Sequence, residues 1–177
     1  ARYPLAVWLG GQTYASFSDA HEHSSVSPLL GARLAERADA PELRGLIAGG
    51  THWNLGYVLR NFLWWDGKKE TPGAPENVFL PVSGVARLVG TVRASHLVLA
   101  AKAGHNAEPH NQNDVGSFII GVDGETYLCD PGPGLYSKEY FSARRYENVF
   151  ANSYGHSVPR IGGQLQREGA QYRGTME

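Results

Sequence analysis

The pattern of apolar residues changes once along this chain, at a charged segment rich in proline and glycine, DGKKETPGAPEN, over residues 66–77. Before it, apolar residues recur at helical spacing, and after it short β-branched runs alternate with glycine and proline. Such a change predicts that the two halves form different kinds of structure. We therefore expect an α+β protein with a helical domain over 1–66, a linker over 67–77 and a strand domain over 78–177.

Three helices are predicted in the first half. Ser27 can cap a helix that begins at Pro28, and Pro41 can start a shorter helix that ends at Gly49-Gly50. Thr51 can cap a third helix, HWNLGYVLRNFLWW. Three tryptophans in or next to this helix suit the core of the helical part better than a sugar-binding platform: Trp53, Trp64 and Trp65.

The second half carries the signals of strands. The predicted strands are VFLPVSG, GVARLVG, SHLVLAAKAG, GSFIIGVDGETYLCD, YENVFANS and SVPRIGGQLQ. Asp123-Gly124 lies between Val122 and Glu125 and is a strong signal for a two-residue hairpin turn.

The composition excludes some classes of partner. The net charge is −1, which argues against a nucleic acid held mainly by charge, and no apolar run is long enough for a membrane span. A single cysteine, Cys129, excludes an internal disulfide. No signal peptide is visible, and the chain begins with Ala1 inside a helical pattern, so we expect an internal or processed piece of a larger protein.

A polar stretch, HNQND, precedes the strand that leads into the hairpin. If it is extended, His110, Gln112 and Asp114 share one face. In a regular hairpin that turns at Asp123-Gly124, Asp130 lies opposite Ser117 and on the other face from Gln112. Asp130 and Gln112 can meet only if the strand pairing breaks before Ser117, so we expect a bend at Gly116 and a polar loop over 105–115.

Three separated elements occur in order: HNQNDVGSFIIGVDGE, DPGPGLY and RRYENVFANSYGHSVPRIGGQ. Together they resemble the heparinase II/III-like family of polysaccharide lyases, most closely over residues 105–164 and more loosely over YPLAVWLGG and FSDAHEH. The resemblance implies the C-terminal part of an α/α toroid followed by the start of an antiparallel β-sandwich. It also implies β-elimination on a uronate-containing glycan such as a glycosaminoglycan or alginate, in a cleft between the two parts, and a periplasmic or secreted protein.

The implied reaction needs a base for the proton at carbon 5 of the uronate, an acid for the oxygen at carbon 4, and a group that neutralises the carboxylate. The catalytic candidates are His110, Tyr136, Tyr140 and Tyr146. The substrate-binding candidates are Asn111, Asn113, Arg144 and Arg145. The alternatives are that His110 is a hydrogen-bonded loop residue and that the two arginines form a solvated pair.

The family's zinc ligands would fall on Gln112, Asp130 and His156, where glutamine replaces a histidine. Glutamine is a poor zinc ligand, so we expect either no cofactor or a single structural zinc. Without zinc, the Gln112 amide should donate to Asp130, which should also accept from the His156 ring. Alternatively, Asp130 caps the turn at Pro131-Gly132.

Three further histidines are possible metal ligands. His105 could replace the missing ligand of the family site. His21 and His23, near Asp19, have ligand-like spacing but read as surface loop residues.

The predicted function is therefore that of a polysaccharide lyase fragment whose partner is an acidic polysaccharide. The alternative is a non-catalytic carbohydrate-binding or structural β-sandwich of the same fold. The family's remaining catalytic groups would lie upstream of Ala1, so we expect the fragment alone to be inactive. The near-neutral charge favours a weakly charged uronate polymer over heparin. The sequence does not indicate an oligomeric state.

Overall fold

The computed structural model describes residues 2–48 and 54–177. Its first part contains short helices and one β-hairpin. In chain order these are α1 (Tyr3–Val7), β1 (Trp8–Gly10), β2 (Thr13–Tyr14), α2 (Pro28–Arg37), a 3-10 helix (Pro41–Leu46) and α3 (Leu55–Trp64).

The predicted end of an α/α toroid is wrong. The segment YPLAVWLGG, expected as helix, is helical only in α1 and then forms the β1–β2 hairpin. Gly10 (φ 128°) and Gly11 (φ 53°) lie at this turn, where positive φ angles favour glycine. No helix in the described residues is longer than ten residues, so the stacked helix pairs of a toroid are not formed here.

The starts of the helices follow local sequence signals. Ser27 accepts a hydrogen bond from the Leu30 amide and caps α2 as predicted, and Pro41 starts the 3-10 helix. The predicted cap Thr51 lies outside the described residues, and Asn54 caps α3 instead by accepting from the Gly56 amide. None of the described helices has the length and hydropathy required to span a membrane.

Helix α3 lies on the surface. None of its residues is buried, and Trp64 is 43% exposed. The prediction that Trp64 and Trp65 belong to the core is therefore wrong, and Trp53 lies outside the described residues. The contacts of α3 are made with α2, where the Asn61 side chain accepts from the Leu29 amide over 3.0 Å.

The second part is built on an antiparallel sheet. Its strands are β3 (Val78–Leu80), β4 (Val85–Val92), β5 (Ser95–Lys102), β6 (Gly104–Asn106), β7 (Phe118–Val122), β8 (Glu125–Leu128) and β9 (Gly169–Gly174). Five of them form one sheet in the order β3-β4-β5-β7-β8, while β6 pairs with β9. In the described residues the only other pair is β1–β2, so no second large sheet completes a sandwich.

The β7–β8 hairpin turns at Asp123-Gly124, as predicted, with Val122 paired to Glu125. The pairing then shifts, because Gly121 faces Thr126 whereas Ile120 faces Leu128. Tyr127 is therefore the extra residue of a β-bulge, and a register counted from the turn fails beyond it. The predicted bend at Gly116 is present, with φ 82°.

Two predicted strands are wrong. Residues 146–153 begin in a 3-10 helix (Arg145–Glu147) and continue as turns, and residues 157–166 form an irregular loop instead of a strand. Their backbone groups bond locally, as in the hydrogen bonds from Asn148 N to Arg145 O (3.1 Å) and from Ala151 N to Asn148 O (3.0 Å). Turns of this kind use the amides that a ladder would need, so apolar composition alone misled the prediction.

The hydrophobic core is shared by the two parts of the chain. Residues of the N-terminal segment, such as Ala6, Leu9 and Phe17, pack in one cluster with Val98 and Ile119 of the sheet. The loop after β2 is consequently held against the sheet, which brings its polar side chains close to those of the second half.

Arg87 of β4 joins α1 to the sheet. Arg87 is 4% exposed, and its guanidinium donates to the carbonyls of Trp8 (2.8 Å), Glu76 (2.7 Å) and Leu5. Burial lowers the pKa of Arg87. A buried cation is tolerated here because three carbonyl dipoles take the place of water.

We expect Arg87→Met to lower the free energy of unfolding by roughly 3 kcal/mol, since it leaves three carbonyls without their donor. Urea denaturation of the two proteins measures this change. Arg93→Met, at the exposed β4–β5 turn, is the control and should change the free energy of unfolding by less than about 0.5 kcal/mol. Equal effects of the two substitutions would contradict the bridging role of Arg87.

Candidate functional site

Three polar segments meet at one end of the sheet. They are the loop after β2 (residues 15–27), the loop between β6 and β7 (residues 107–117) and the DPGPG turn (residues 130–134). Ser16 Oγ donates to the Asp130 carbonyl over 3.3 Å and thereby joins the first segment to the third.

Lys102, at the end of β5, forms the base. Its ammonium group donates to both oxygens of Asp114, at 3.0 and 3.3 Å, and to Ser18 Oγ at 3.2 Å. The side chains of Lys102 and Asp114 are 8% and 1% exposed. Burial raises the pKa of Asp114, and Lys102 opposes that rise. This ion pair ties the loop after β2 to the sheet through Ser18.

The DPGPG turn is fixed by its own sequence. Asp130 Oδ1 accepts from the Gly132 amide over 2.9 Å, which is the turn-capping alternative predicted above. A Cβ at Gly132 would lie 3.3 Å from the Ala20 carbonyl oxygen, and one at Gly134 would lie 2.9 Å from the Tyr140 ring. Glycine at these positions therefore allows the turn to approach both neighbours closely.

Asp19, His110 and Tyr136 form a cluster at the surface. The Tyr136 hydroxyl donates to Asp19 Oδ2 over 2.6 Å, and His110 Nδ1 lies 2.9 Å from the same oxygen. The Asp19 side chain is 13% exposed, whereas that of His110 is 75% exposed. His110 has φ 59°, a left-handed conformation that turns it out of the buried loop.

The shared carboxylate sets the proton positions in this cluster. Because a carboxylate only accepts, His110 Nδ1 donates to it, and the lone pair of the neutral ring is then on Nε2. The hydrogen bond to Asp19 is the main cause that raises the pKa of Tyr136. The hydrogen bond thus favours the protonated phenol, which is the form that donates to Asp19.

The tyrosine candidates occupy different environments. Tyr136 is 51% exposed and stacks on Tyr140, with ring centroids 5.5 Å apart. Tyr140 is 2% exposed, so it supports the Tyr136 ring and cannot reach a substrate as a catalytic group. Tyr146 is half-buried, and burial is the main cause that raises its pKa.

The two asparagine candidates are buried and used structurally. Asn111 donates to the Gln112 carbonyl over 3.1 Å, and Asn113 donates to the Gln166 carbonyl over 3.2 Å. They are 7% and 2% exposed, so substrate contact through their side chains is not supported. The sequence predicted substrate contact for Asn111 and Asn113, whereas only His110 of the HNQND stretch is exposed.

The extended conformation that would give His110, Gln112 and Asp114 one shared face is not formed, and residues 107–117 are a loop, which agrees with most of the polar loop expected over 105–115. Gln112 and Asp114 are buried at 0% and 1% exposure, and the segment is not a strand. The left-handed residue at His110 interrupts the alternation on which the prediction depended.

The two arginine candidates differ. Arg144 is exposed and pairs with Glu147, with 2.9 Å between Nη2 and Oε2. Arg145 donates from Nη2 to the Asn111 carbonyl over 2.7 Å, and its guanidinium lies 4.4 Å from the centroid of the Tyr140 ring.

Gln112, Asp130 and His156 do lie together, although not as predicted. His156 Nδ1 donates to Asp130 Oδ2 over 2.7 Å, as expected, but Gln112 Nε2 donates to the Gly132 carbonyl over 3.1 Å instead of to Asp130. Ser117 Oγ also donates to Asp130 Oδ2 over 3.4 Å. The Gly132 amide already occupies the other carboxylate oxygen.

These residues do not fit a tight zinc site. Both oxygens of Asp130 and the Nδ1 atom of His156 are engaged in hydrogen bonds. Gln112 Oε1 and His156 Nε2 are buried without a hydrogen-bond partner in the described part of the chain, and they supply one strong donor and one weak donor. No group of three His, Cys, Asp or Glu side chains within residues 2–48 and 54–177 is arranged to hold a metal ion.

The three other histidines considered as metal ligands make no hydrogen bond to Gln112, Asp130 or His156 in the described residues. His105 lies in β6, where its Nδ1 accepts from the Ala107 amide over 3.2 Å. His21 and His23 are exposed residues of the loop after β2, in agreement with the surface reading.

Two residues of the site were missed by sequence reasoning. Asp19 entered the sequence prediction only as a neighbour of two histidines, and Lys102 was not predicted as a site residue. Asp19 is 91 residues from His110, so no local spacing reveals their contact. Lys102 could have been found from its position at the end of an apolar strand, because a lysine that is buried there needs a charged partner.

No family model matches this chain, and a search of the curated proteins finds no match either. The similarity to heparinase II/III-like lyases therefore rests on the three motifs quoted above and stays a prediction.

We expect Asp19→Asn to lower the pKa of Tyr136, because the substitution removes the negative charge and the strong acceptor next to the hydroxyl. Tyrosinate absorbance followed against pH, with Tyr136→Phe subtracted to isolate this residue, measures the change. Asp39→Asn, near the end of α2, is the control and should leave the titration unchanged. An unchanged Tyr136 titration in Asp19→Asn would contradict the hydrogen bond.

We expect protein purified without added zinc to contain well below one zinc per chain, because Gln112 and His156 supply a single strong free donor. Gln112→His adds an imidazole and should raise the zinc content. Metal analysis by mass spectrometry, with the conservative Gln112→Asn as control, measures both. Near-stoichiometric zinc in the unsubstituted protein would show that this donor set is sufficient.

Proposed function

We propose that this chain carries part of the active site of a polysaccharide lyase that cleaves a uronate-containing glycan by β-elimination. The observation that carries the proposal is the cluster in which His110 and Tyr136 share one oxygen of Asp19 at the surface. Two groups able to transfer protons are thus held next to each other, and both side chains are open to solvent.

His110 suits the role of base. With Nδ1 donating to Asp19, the free lone pair on Nε2 can accept the proton from carbon 5 of the uronate. The carboxylate orients the ring and stabilises the imidazolium that forms, which is the task of an acidic partner in other histidine-based sites.

Tyr136 suits the role of acid. A tyrosine phenol is protonated at neutral pH, and the hydroxyl of Tyr136 can rotate from Asp19 toward the glycosidic oxygen at carbon 4. The C5–H bond breaks toward His110, the C4–O bond breaks as its oxygen takes the phenolic proton, and a C4–C5 double bond forms. Protons and electrons balance without an external reagent.

A second candidate function is carbohydrate binding without catalysis. The aromatic rings of Tyr136 and Phe141 are 51% and 64% exposed and lie in edge contact, with centroids 4.9 Å apart. Exposed aromatic rings of this kind can stack on sugar rings. The two functions differ in a single observable, which is the formation of an unsaturated product.

The test is elimination by the full-length protein on a panel of uronate polymers, followed by the ultraviolet absorbance of the unsaturated product. We expect His110→Ala and Tyr136→Phe each to lower kcat/KM by roughly 10²-fold or more, the usual range for acid–base groups. His96→Ala removes an exposed histidine outside the cluster and should leave the rate unchanged.

Activity that survives both substitutions would exclude the cluster as the acid–base pair. Glycan binding without any unsaturated product, in a protein that still carries the intact cluster, would favour the carbohydrate-binding alternative.

A further inference from the structure

Arg145 is held in place by neutral groups. Its Nη2 donates to the Asn111 carbonyl, and its guanidinium lies over the buried Tyr140 ring. Its Nε is buried without a hydrogen-bond partner in the described part of the chain. A guanidinium has five N–H donors, and because Nε is buried, a further acceptor would bind at the outer Nη atoms.

No carboxylate in residues 2–48 and 54–177 forms an ion pair with Arg145. The adjacent Arg144 differs, because Glu147 neutralises it in two contacts of 2.9 Å. Holding a cation on an aromatic face and a carbonyl, without a counter-ion, leaves its charge available to a ligand.

Arg145 is also linked to the proposed acid–base pair, through one intervening residue on each side. The carbonyl that it binds belongs to Asn111, which follows His110 in the chain. The Tyr140 ring beneath it stacks on the Tyr136 ring. Arg145 is close enough to lower the pKa of Tyr136, against the larger opposing effect of Asp19.

We propose that Arg145 binds the carboxylate of a sugar acid and thereby selects acidic over neutral glycans. The planar guanidinium matches a carboxylate with two parallel N–H donors, which a lysine ammonium group cannot do. This inference rests on the proposed lyase function for its substrate. In that reaction the bound arginine also neutralises the carboxylate while charge develops at carbon 5.

The alternative is that Arg145 only supports the loop by holding the Asn111 carbonyl. The two roles are separated by the ligand. A supporting role affects acidic and neutral glycans equally, whereas a carboxylate site affects only the acidic ones.

The experiment measures, by titration calorimetry, the affinity of the full-length protein for defined oligosaccharides. The protein carries His110→Ala so that turnover is slowed. The probes are tetrasaccharides containing glucuronate, galacturonate or mannuronate, each beside its carboxyl-reduced neutral counterpart. We expect at least one acidic probe to bind roughly tenfold or more tightly than its neutral counterpart. Arg145→Met should abolish this preference, and Arg144→Met should retain it.

Arg145→Lys keeps the charge but loses the planar fork, so it should retain only a small part of the preference. It also provides the measurement if Arg145→Met does not fold. A preference that survives both Arg145 variants, or its absence from the parent protein, would overturn the proposal. A clear preference in a protein that forms no unsaturated product would overturn the lyase function and leave the carboxylate site standing.

Discussion

The buried ion pair between Lys102 and Asp114 is the interaction on which the rest of the candidate site depends. It joins the end of β5 to the loop before β7, and through Ser18 it also holds the loop after β2. Loss of Lys102 would leave the buried Asp114 charge without its ion-pair partner, which costs about 3–5 kcal/mol, whereas Lys102 also lies 3.9 Å from Glu108 Oε2. The pair therefore imposes one arrangement on three segments that are far apart in sequence.

The surface cluster is a consequence of that arrangement. Ser18 is held by Lys102, so the next residue, Asp19, faces the turn that carries Tyr136 and the loop that carries His110. The proposed acid and base are thus positioned by a carboxylate whose own location depends on a buried lysine. Such indirect positioning leaves the groups proposed to transfer protons at the surface, while the residues that support them are buried.

The sequence predicted elements well where short-range chemistry decides the structure, and poorly where it does not. The Ser27 cap, the Asp123-Gly124 turn and the bend at Gly116 were predicted correctly because each depends on a few adjacent residues. The toroid was wrong because Gly10-Gly11 turns the N-terminal segment into a hairpin that packs on the sheet. The strands expected over 146–153 and 157–166 failed because local turns satisfy their amides.

For the site, the sequence by itself determined the chemical groups and the Asp130 turn, whereas the Asp130–His156 contact was expected from the family resemblance. Only the tertiary structure decided that Gln112 bonds to Gly132, that Asn113 and Tyr140 are buried, and that Asp19 joins His110 with Tyr136. The physical reason is range. Turns and caps are hydrogen bonds within a few residues, whereas burial and the pairing of distant charges depend on how the whole chain packs.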